Sequence, residues 1–244
     1  MLEIEEILKR CDIKTGFLEP FICKANNSEK YYVKGANATG PGLIREWICA
    51  NLAAAFRLPI PAHEILYLDP TMVRWVKHEW QDDLRYEHYF GSLSISPCDV
   101  ISFIDVNHVP SPLQRDIFMF DYWIKHNDRQ LSSSGGNPNI LFDPNDNSIQ
   151  IIDHNLAFAN DFSVQDLLDY HVFAAKIKEK PIDMIDRALY EDRFAEALLH
   201  LDNCIKQIPD EWADHDPFLL AARIGAIKAQ LLDYQHDKFW EALT

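Results

Sequence analysis

The sequence predicts an α+β fold of two lobes, a small mixed lobe followed by a mostly helical one. Three observations predict it. Residues 1–80 alternate short β-rich runs with one long amphipathic stretch, residues 113–153 pass from a helical period into a hairpin pattern, and beyond about Phe162 the apolar spacing is helical throughout. With 244 residues, 48% of them hydrophobic, the chain can bury a core of that kind.

Taken in order, residues 1–80 read as a short N-terminal helix, strands near 21–24 and 31–34, a helix near 43–57, and strands near 65–68 and 72–76. The run 81–97, broken by Phe90-Gly91-Ser92, reads as the connection between lobes. Residues 1–96 are therefore expected to form the small lobe with its connector, and residues 97–244 the helical lobe. Leu113, Ile117, Phe120 and Ile124 recur at helical spacing and predict a core-facing helix that delivers Asp128 at its end. Ile140-Leu141-Phe142 and Ile149-Gln150-Ile151-Ile152 flank the turn residues Asp143 to Asn147, a hairpin that would return Asp153 beside Asn139. Leu167, Phe194 and Ala197-Leu198-Leu199 continue the helical pattern, with a last long helix through Ile224 to Leu232 and Trp212 as a packing anchor.

The chemistry concentrates in Asn127-Asp128-Arg129, Gly135-Gly136-Asn137-Pro138-Asn139-Ile140-Leu141 and Ile151-Ile152-Asp153-His154. Acids and amides stand there at the ends of short apolar runs. Phosphoryl transfer needs an Asp near the acceptor hydroxyl and a magnesium ion on oxygen ligands, and Asp128 suits the first task while Asn139 and Asp153 suit the second. Taken singly, each segment also reads as ordinary structure: Asp128-Arg129 as a helix end, Asn137-Pro138-Asn139 as a turn, Asp153-His154 as a strand end.

Together, in this order, the segments resemble the HipA-like kinases, in the compact bacterial branch of that family. Asn127 to Arg129, Gly135 to Leu141 and Ile152 to Phe158 read much like the family's three motifs. Tyr31-Tyr32-Val33-Lys34-Gly35 is similar to its nucleotide-lysine strand, and Leu43, Glu46, Leu52-Ala53 and Leu58-Pro59-Ile60-Pro61 resemble the helix that follows. The resemblance covers most of the chain, thinly beyond about residue 165, and implies a protein-kinase-like fold. It further implies Lys34 on the nucleotide phosphates, Glu46 as its ion-pair partner, Asp128 as catalytic base, and Asn139 with Asp153 on Mg²⁺. Asn137 is the alternative metal ligand. On local pattern alone Lys34 would be a solvated strand end, and Glu46 a half-exposed flank charge paired with Arg45 or solvent.

No G-x-G-x-x-G or Walker pattern occurs among the eight glycines. Thr15-Gly16-Phe17-Leu18-Glu19-Pro20 stands where a phosphate-covering loop belongs, and the resemblance implies that Thr15 can be autophosphorylated. An ordinary turn is the other reading. Leu131 to Gly136 reads as a flexible polar insert beside the proposed centre, whose Ser132, Ser133 and Ser134 are loop-tip residues or phosphorylation sites.

A net charge of −15 argues against a phosphate-backbone surface and hence against direct nucleic-acid binding. Five scattered cysteines without a C-x-x-C pair, and an N-terminus lacking a basic-then-apolar signal, predict a cytoplasmic protein. No apolar run approaches the ~20 residues that span a bilayer, so no membrane association is expected. The histidines allow a hydrolase cluster of His126, Asp128, Asp153 and His154, without zinc spacing to support it. The longer HipA toxins carry an extra N-terminal subdomain for which this chain has no room, and an antitoxin-like partner has no support in the sequence. The reading is an ATP- and Mg²⁺-dependent kinase acting on a Ser or Thr hydroxyl of a protein substrate. A small-molecule or lipid-headgroup kinase and a nucleotide-binding pseudokinase are the alternatives.

Overall fold

A computed structural model describes residues 2–11 and 19–244. Thr15 and Gly16, with Phe17 and Leu18 of the loop expected to cover phosphates, lie outside the described residues. The fold is α+β. Five strands, β1 (Leu2–Arg10), β2 (Phe21–Ala25), β3 (Lys30–Val33), β4 (His63–Tyr67) and β5 (His88–Leu93), close a barrel in the order β1-β2-β3-β5-β4. Only β1 and β4 pair in parallel, and that pairing removes the open edges. Helix α1 (Gly40–Ala55) follows β3, its first turn capped by Thr39 Oγ1 accepting from Gly42 N.

Three expectations fail in this region. The first segment is strand β1, not a helix. Its Glu, Leu and Lys favour helix intrinsically, but antiparallel pairing with β2 overrides propensity. Register shifts between Ile4 and Glu6 and between Ile7 and Lys9 turn Ile4 and Ile7 toward the barrel interior, which counterfeits a helical period. Residues 72–76 do not form a strand, because Asp69 Oδ1 accepts from Thr71 N and starts the short helix α2 (Pro70–Val73). Helix α3 (His78–Gln81) comes next, and the supposed connector then contains β5, which pairs with both β3 and β4. Gly91 marks a close approach within this strand: a Cβ there would lie 2.5 Å from Leu66 Cδ1.

Beyond the barrel come β6 (Asp99–Val100) and α4 (Ser111–Trp123). The expected flexible insert is instead a tight hairpin, β7 (Gln130–Ser132) with β8 (Gly135–Asn137), turning at Ser133-Ser134. The second hairpin forms as expected from β9 (Ile140–Asp143) and β10 (Ser148–Ile151), with Ile151 opposite Ile140 and β6 added to its edge. The remainder is helical: α5 (Val164–Tyr170), α6 (Ala174–Glu179), α7 (Met184–Leu198), α8 (Leu201–Ile205), α9 (Pro217–Leu231) and α10 (Asp237–Trp240). None of the described helices is long and apolar enough to cross a membrane.

Two apolar cores result. The smaller fills the barrel with Phe21, Tyr31, Val33, Leu66 and Tyr89. The larger joins α1 and α4 to the C-terminal helices, where Trp123 and Phe194 stack at 4.4 Å between ring centroids. Helix α1 thus belongs by packing to the helical core, and Trp47 Nε1 donates to the Cys204 carbonyl at 2.9 Å. Trp212 is the expected anchor: it is buried and its Nε1 donates to the His88 carbonyl.

Candidate active site

A cavity of 630 Å³ opens between the barrel and the β9–β10 hairpin. Strand alternation decides what faces it. Tyr31 and Val33 point into the barrel core, so Tyr32 and Lys34 point into the cavity. Ile22, Tyr32, Phe90, Leu141 and Ile151 supply the apolar lining.

Lys34 continues the β3 ladder by donating its N–H to the Phe90 carbonyl at 3.1 Å. Its Nζ lies 2.6 Å from Glu46 Oε2 and 2.6 Å from Asp153 Oδ1. Glu46 arrives on α1 and is only 2% exposed, not half exposed, and its Oε2 also accepts the backbone N–H of His154 at 2.9 Å. Burial alone would raise the Glu46 carboxyl, but the Lys34 charge and the His154 hydrogen bond hold it well below the usual range. Burial would likewise lower Lys34, and the charges of Asp153 and Glu46 outweigh it, leaving the ammonium above its ordinary value.

A second group assembles from α4 and the two hairpins. Asp128 stands five residues beyond the last residue of α4, and its Oδ2 accepts from Asn137 Nδ2 at 2.8 Å and Asn139 Nδ2 at 2.9 Å. Asn139 is buried while Asn137 is exposed. Burial raises the Asp128 carboxyl, the Asn139 hydrogen bond lowers it, and the charge of Asp153 adds to the rise. The two groups are linked through the chain: Ile152 N donates to the Asn139 carbonyl at 3.0 Å, which seats Asp153 beside Asn139 as the hairpin pattern predicted. Asn139 (φ 48°) and Asp153 (φ 63°) both occupy the left-handed region, which Asn and Asp tolerate better than other side-chain-bearing residues. The sites expected from sequence thus converge, except that Thr15 and Gly16 fall outside the described residues.

Sequence reasoning gave no role to what holds these loops. Arg129 is fully buried; its Nε donates to Asp121 Oδ2 at 2.7 Å, and its Nη1 reaches the carbonyls of Asn139 (2.5 Å) and Ile152 (3.3 Å). One guanidinium therefore ties the Asp128 loop to the loops of Asn139 and Asp153. The ring nitrogen His171 Nε2 also meets Asp121 Oδ2, at 2.9 Å. Burial opposes ionisation of Asp121, yet Arg129 and the neighbouring histidines keep it far below its ordinary value. A findable signal existed: Asp121 stands alone within Phe118-Met119-Phe120 and Tyr122-Trp123, where a buried acid requires a partner. At the other end of the cavity Arg10 donates to Asp83 Oδ2 at 2.6 Å, and Asp83 Oδ1 accepts from Asn37 N, fixing the turn after Lys34. A Cβ on Gly35 would lie 2.3 Å from the Asp83 carboxylate, so only glycine fits there.

Asp153 Oδ2 and Asn139 Oδ1 make no hydrogen bond among the described residues, and these hard oxygen donors fit a magnesium ion. Among the described residues no three His, Cys, Asp or Glu side chains gather as a metal cluster, and His126 and His154 are instead buried, their rings packed 5.7 Å apart. This removes the geometric basis for the hydrolase cluster.

No curated protein matches the chain. Among solved structures, the crystal structure of a Helicobacter pylori proinflammatory kinase, CtkA, is similar at 12% identity and a TM-score of 0.49, over 96% of this chain and 95% of that one. The model of the HipA-like kinase family matches residues 4–243, nearly the whole length, and the chain belongs to that family.

Proposed function

We propose that this phosphotransferase is an ATP- and Mg²⁺-dependent kinase that phosphorylates a Ser or Thr hydroxyl on a protein. Its two kinase lobes would be residues 1–96 and 97–244, with nucleotide held in the cavity between them. The observation that carries the reading is the convergence of Lys34, Glu46 and Asp153 on one wall of the 630 Å³ cavity, coupled through Ile152 and Asn139 to Asp128. A scaffold has no physical need for this set, which favours a working kinase over a nucleotide-binding pseudokinase.

In this reading Lys34, kept charged by two carboxylates, binds the nucleotide phosphates, and Glu46 fixes the direction of the ammonium. Asn139 and Asp153 hold the magnesium ion, with Asn137 at the rim as the alternative ligand. The metal, when bound, neutralises charge on the phosphates. Asp128 orients the acceptor hydroxyl and takes its proton as the hydroxyl oxygen bonds to the γ-phosphorus and the bond to the β–γ bridging oxygen breaks. The raised Asp128 carboxyl is a better proton acceptor than an ordinary aspartate.

Incubation of the purified chain with γ-labelled ATP and Mg²⁺, alone and with cell lysate, tests this, with Asp128→Asn as control. Label on protein that the variant loses is the expected result. ATP binding with label found only on small molecules would move the acceptor to a small-molecule or lipid-headgroup class; no ATP binding would refute the reading.

A further inference from the structure

A second hollow, of 220 Å³, lies between the first turns of α1 and the C-terminal half of α9, closed by Phe158 and Asn160. Arg45 and Arg223 both line it. Among the described residues neither guanidinium has a carboxylate within 4.0 Å, although the chain carries 38 Asp and Glu against 23 Lys and Arg. Arg45 Nε is committed to the Asn155 carbonyl at 2.7 Å, but Arg223 Nη1 is buried with no hydrogen-bond partner among the described residues. Gln230 Oε1, on the same wall, is also buried and unpartnered; half a turn of that amide would present its N–H₂ instead.

Two cations facing each other in a half-buried hollow repel, and an unmet buried donor costs more. Burial first, and the charge of Arg223 besides, hold the Arg45 guanidinium below its ordinary value. Both penalties vanish if an anion sits between them. Guanidinium pairs favour oxyanions that accept two parallel hydrogen bonds, and phosphate is the best match. The volume sets an upper size. Pockets for nucleotide-sized ligands run from roughly 300 Å³ upward, so this one suits a single phosphoryl group.

We propose that the hollow between α1 and α9 is a binding site for one phosphoryl dianion, held by Arg45, Arg223 and Gln230. The occupant is inorganic phosphate or the phosphoryl group of a phosphorylated side chain; the chemistry is the same. The site is separate from the cavity of Lys34, yet it reaches it by two short paths. Arg45 precedes Glu46 on α1, and the Asn155 carbonyl that Arg45 holds lies two residues beyond Asp153. A bound phosphoryl group would therefore brace α1, α9 and the 153–158 stretch as one unit.

Thermal unfolding and hydrogen exchange of the whole chain, with inorganic phosphate, phosphoserine, serine and chloride at matched ionic strength, test the proposal. Wild type should melt higher with phosphate or phosphoserine than with serine or chloride, with slower exchange in 155–160 and 223–230. Arg223→Gln relieves the repulsion, so it should melt no lower than wild type in chloride and bind phosphate at least tenfold more weakly. Should Arg223→Gln misfold, Arg45→Gln, which also gives up the bond to the Asn155 carbonyl and so can melt lower, should likewise bind phosphate at least tenfold more weakly. Preference for phosphoserine assigns the occupant to a phosphorylated side chain, and preference for inorganic phosphate to the free ion. Protection confined to the Lys34 cavity, or equal phosphate response in wild type and variants, overturns the proposal.

Discussion

Lys34 and Asp153 stand 119 positions apart in sequence and 2.6 Å apart in space, with Glu46 at the same distance from the ammonium. Two of the three donors of the ammonium are thus taken by carboxylates, which leaves the third for an entering phosphate. Asp153→Asn is expected to weaken Mg-nucleotide binding and turnover together, as calorimetry with Mg-ATP and kcat would report. Lys34→Met should lose nucleotide binding and also stability, by about 3 kcal/mol, because it strands Glu46 as a buried charge. A variant that melts like wild type would mean Glu46 is held by His154 N–H alone.

Asp128 has two amide donors and, among the described residues, no basic partner at hydrogen-bond distance. Asp128→Asn retains an oxygen for those donors, so the fold should survive. With the proton acceptor gone, kcat should fall by roughly 10²–10⁴ while the Kd for Mg-ATP changes little. Turnover near the wild-type rate would remove Asp128 from the base role.

The amides differ in what they should contribute. Asn139 is buried at the head of β9 and Asn137 is exposed on β8, so Asn139→Ala is expected to cost far more activity than Asn137→Ala. Wild-type activity in Asn139→Ala would transfer the metal role to Asn137.

Burial raises the Asp128 carboxyl, and a base works only when deprotonated. Activity should therefore disappear as pH falls at a higher pH than an ordinary aspartate would give. Asn139 is the neighbour whose hydrogen bond opposes that rise. Whatever activity Asn139→Ala keeps should show its acid limb at still higher pH in a kcat profile, and an unmoved limb would separate the limb from Asp128.

The Asp121–Arg129 pair is fully buried and joins the loops of Asp128, Asn139 and Asp153. Asp121→Asn leaves the guanidinium without its counter-charge and should cost about 3–5 kcal/mol, read by denaturant unfolding. The sign of the pH dependence follows from linkage. Asp121 is depressed on folding, so its stabilisation is complete above the ordinary value of 3.8 and is lost as pH falls below it toward the folded value. The variant should show a shallower acid limb in that window. Burial lowers His154 and His171 on folding, so the unfolded chain takes up more protons as pH falls below 6.5, and the His154 part of that slope should persist in the variant.

Much of the site was legible because its parts are short and local. The β-rich run Tyr31-Tyr32-Val33 placed Lys34 at a strand end, and the turn Asp143 to Asn147 foretold the hairpin that returns Asp153 to Asn139. What was misread depends on distant partners. The first segment is a strand only because β2 and β4 pair with it, and its bulges hide the alternation. Phe90-Gly91-Ser92 resembled a break, yet Gly91 is there because Leu66 of the neighbouring strand leaves no room for a Cβ.

The sequence by itself determined the chemical inventory, the order of the motifs and the local elements that carry them, since these follow from residue type and spacing of a few positions. Only the tertiary structure decided that Glu46 is buried beneath Lys34, that Arg129 ties three loops together, and that Arg45 and Arg223 face one another without an acid. Those relationships join residues from 10 to 178 positions apart, and no pattern along the chain encodes such a distance. They arise when packing of the two cores excludes water and each buried charge must find its partner or lack one.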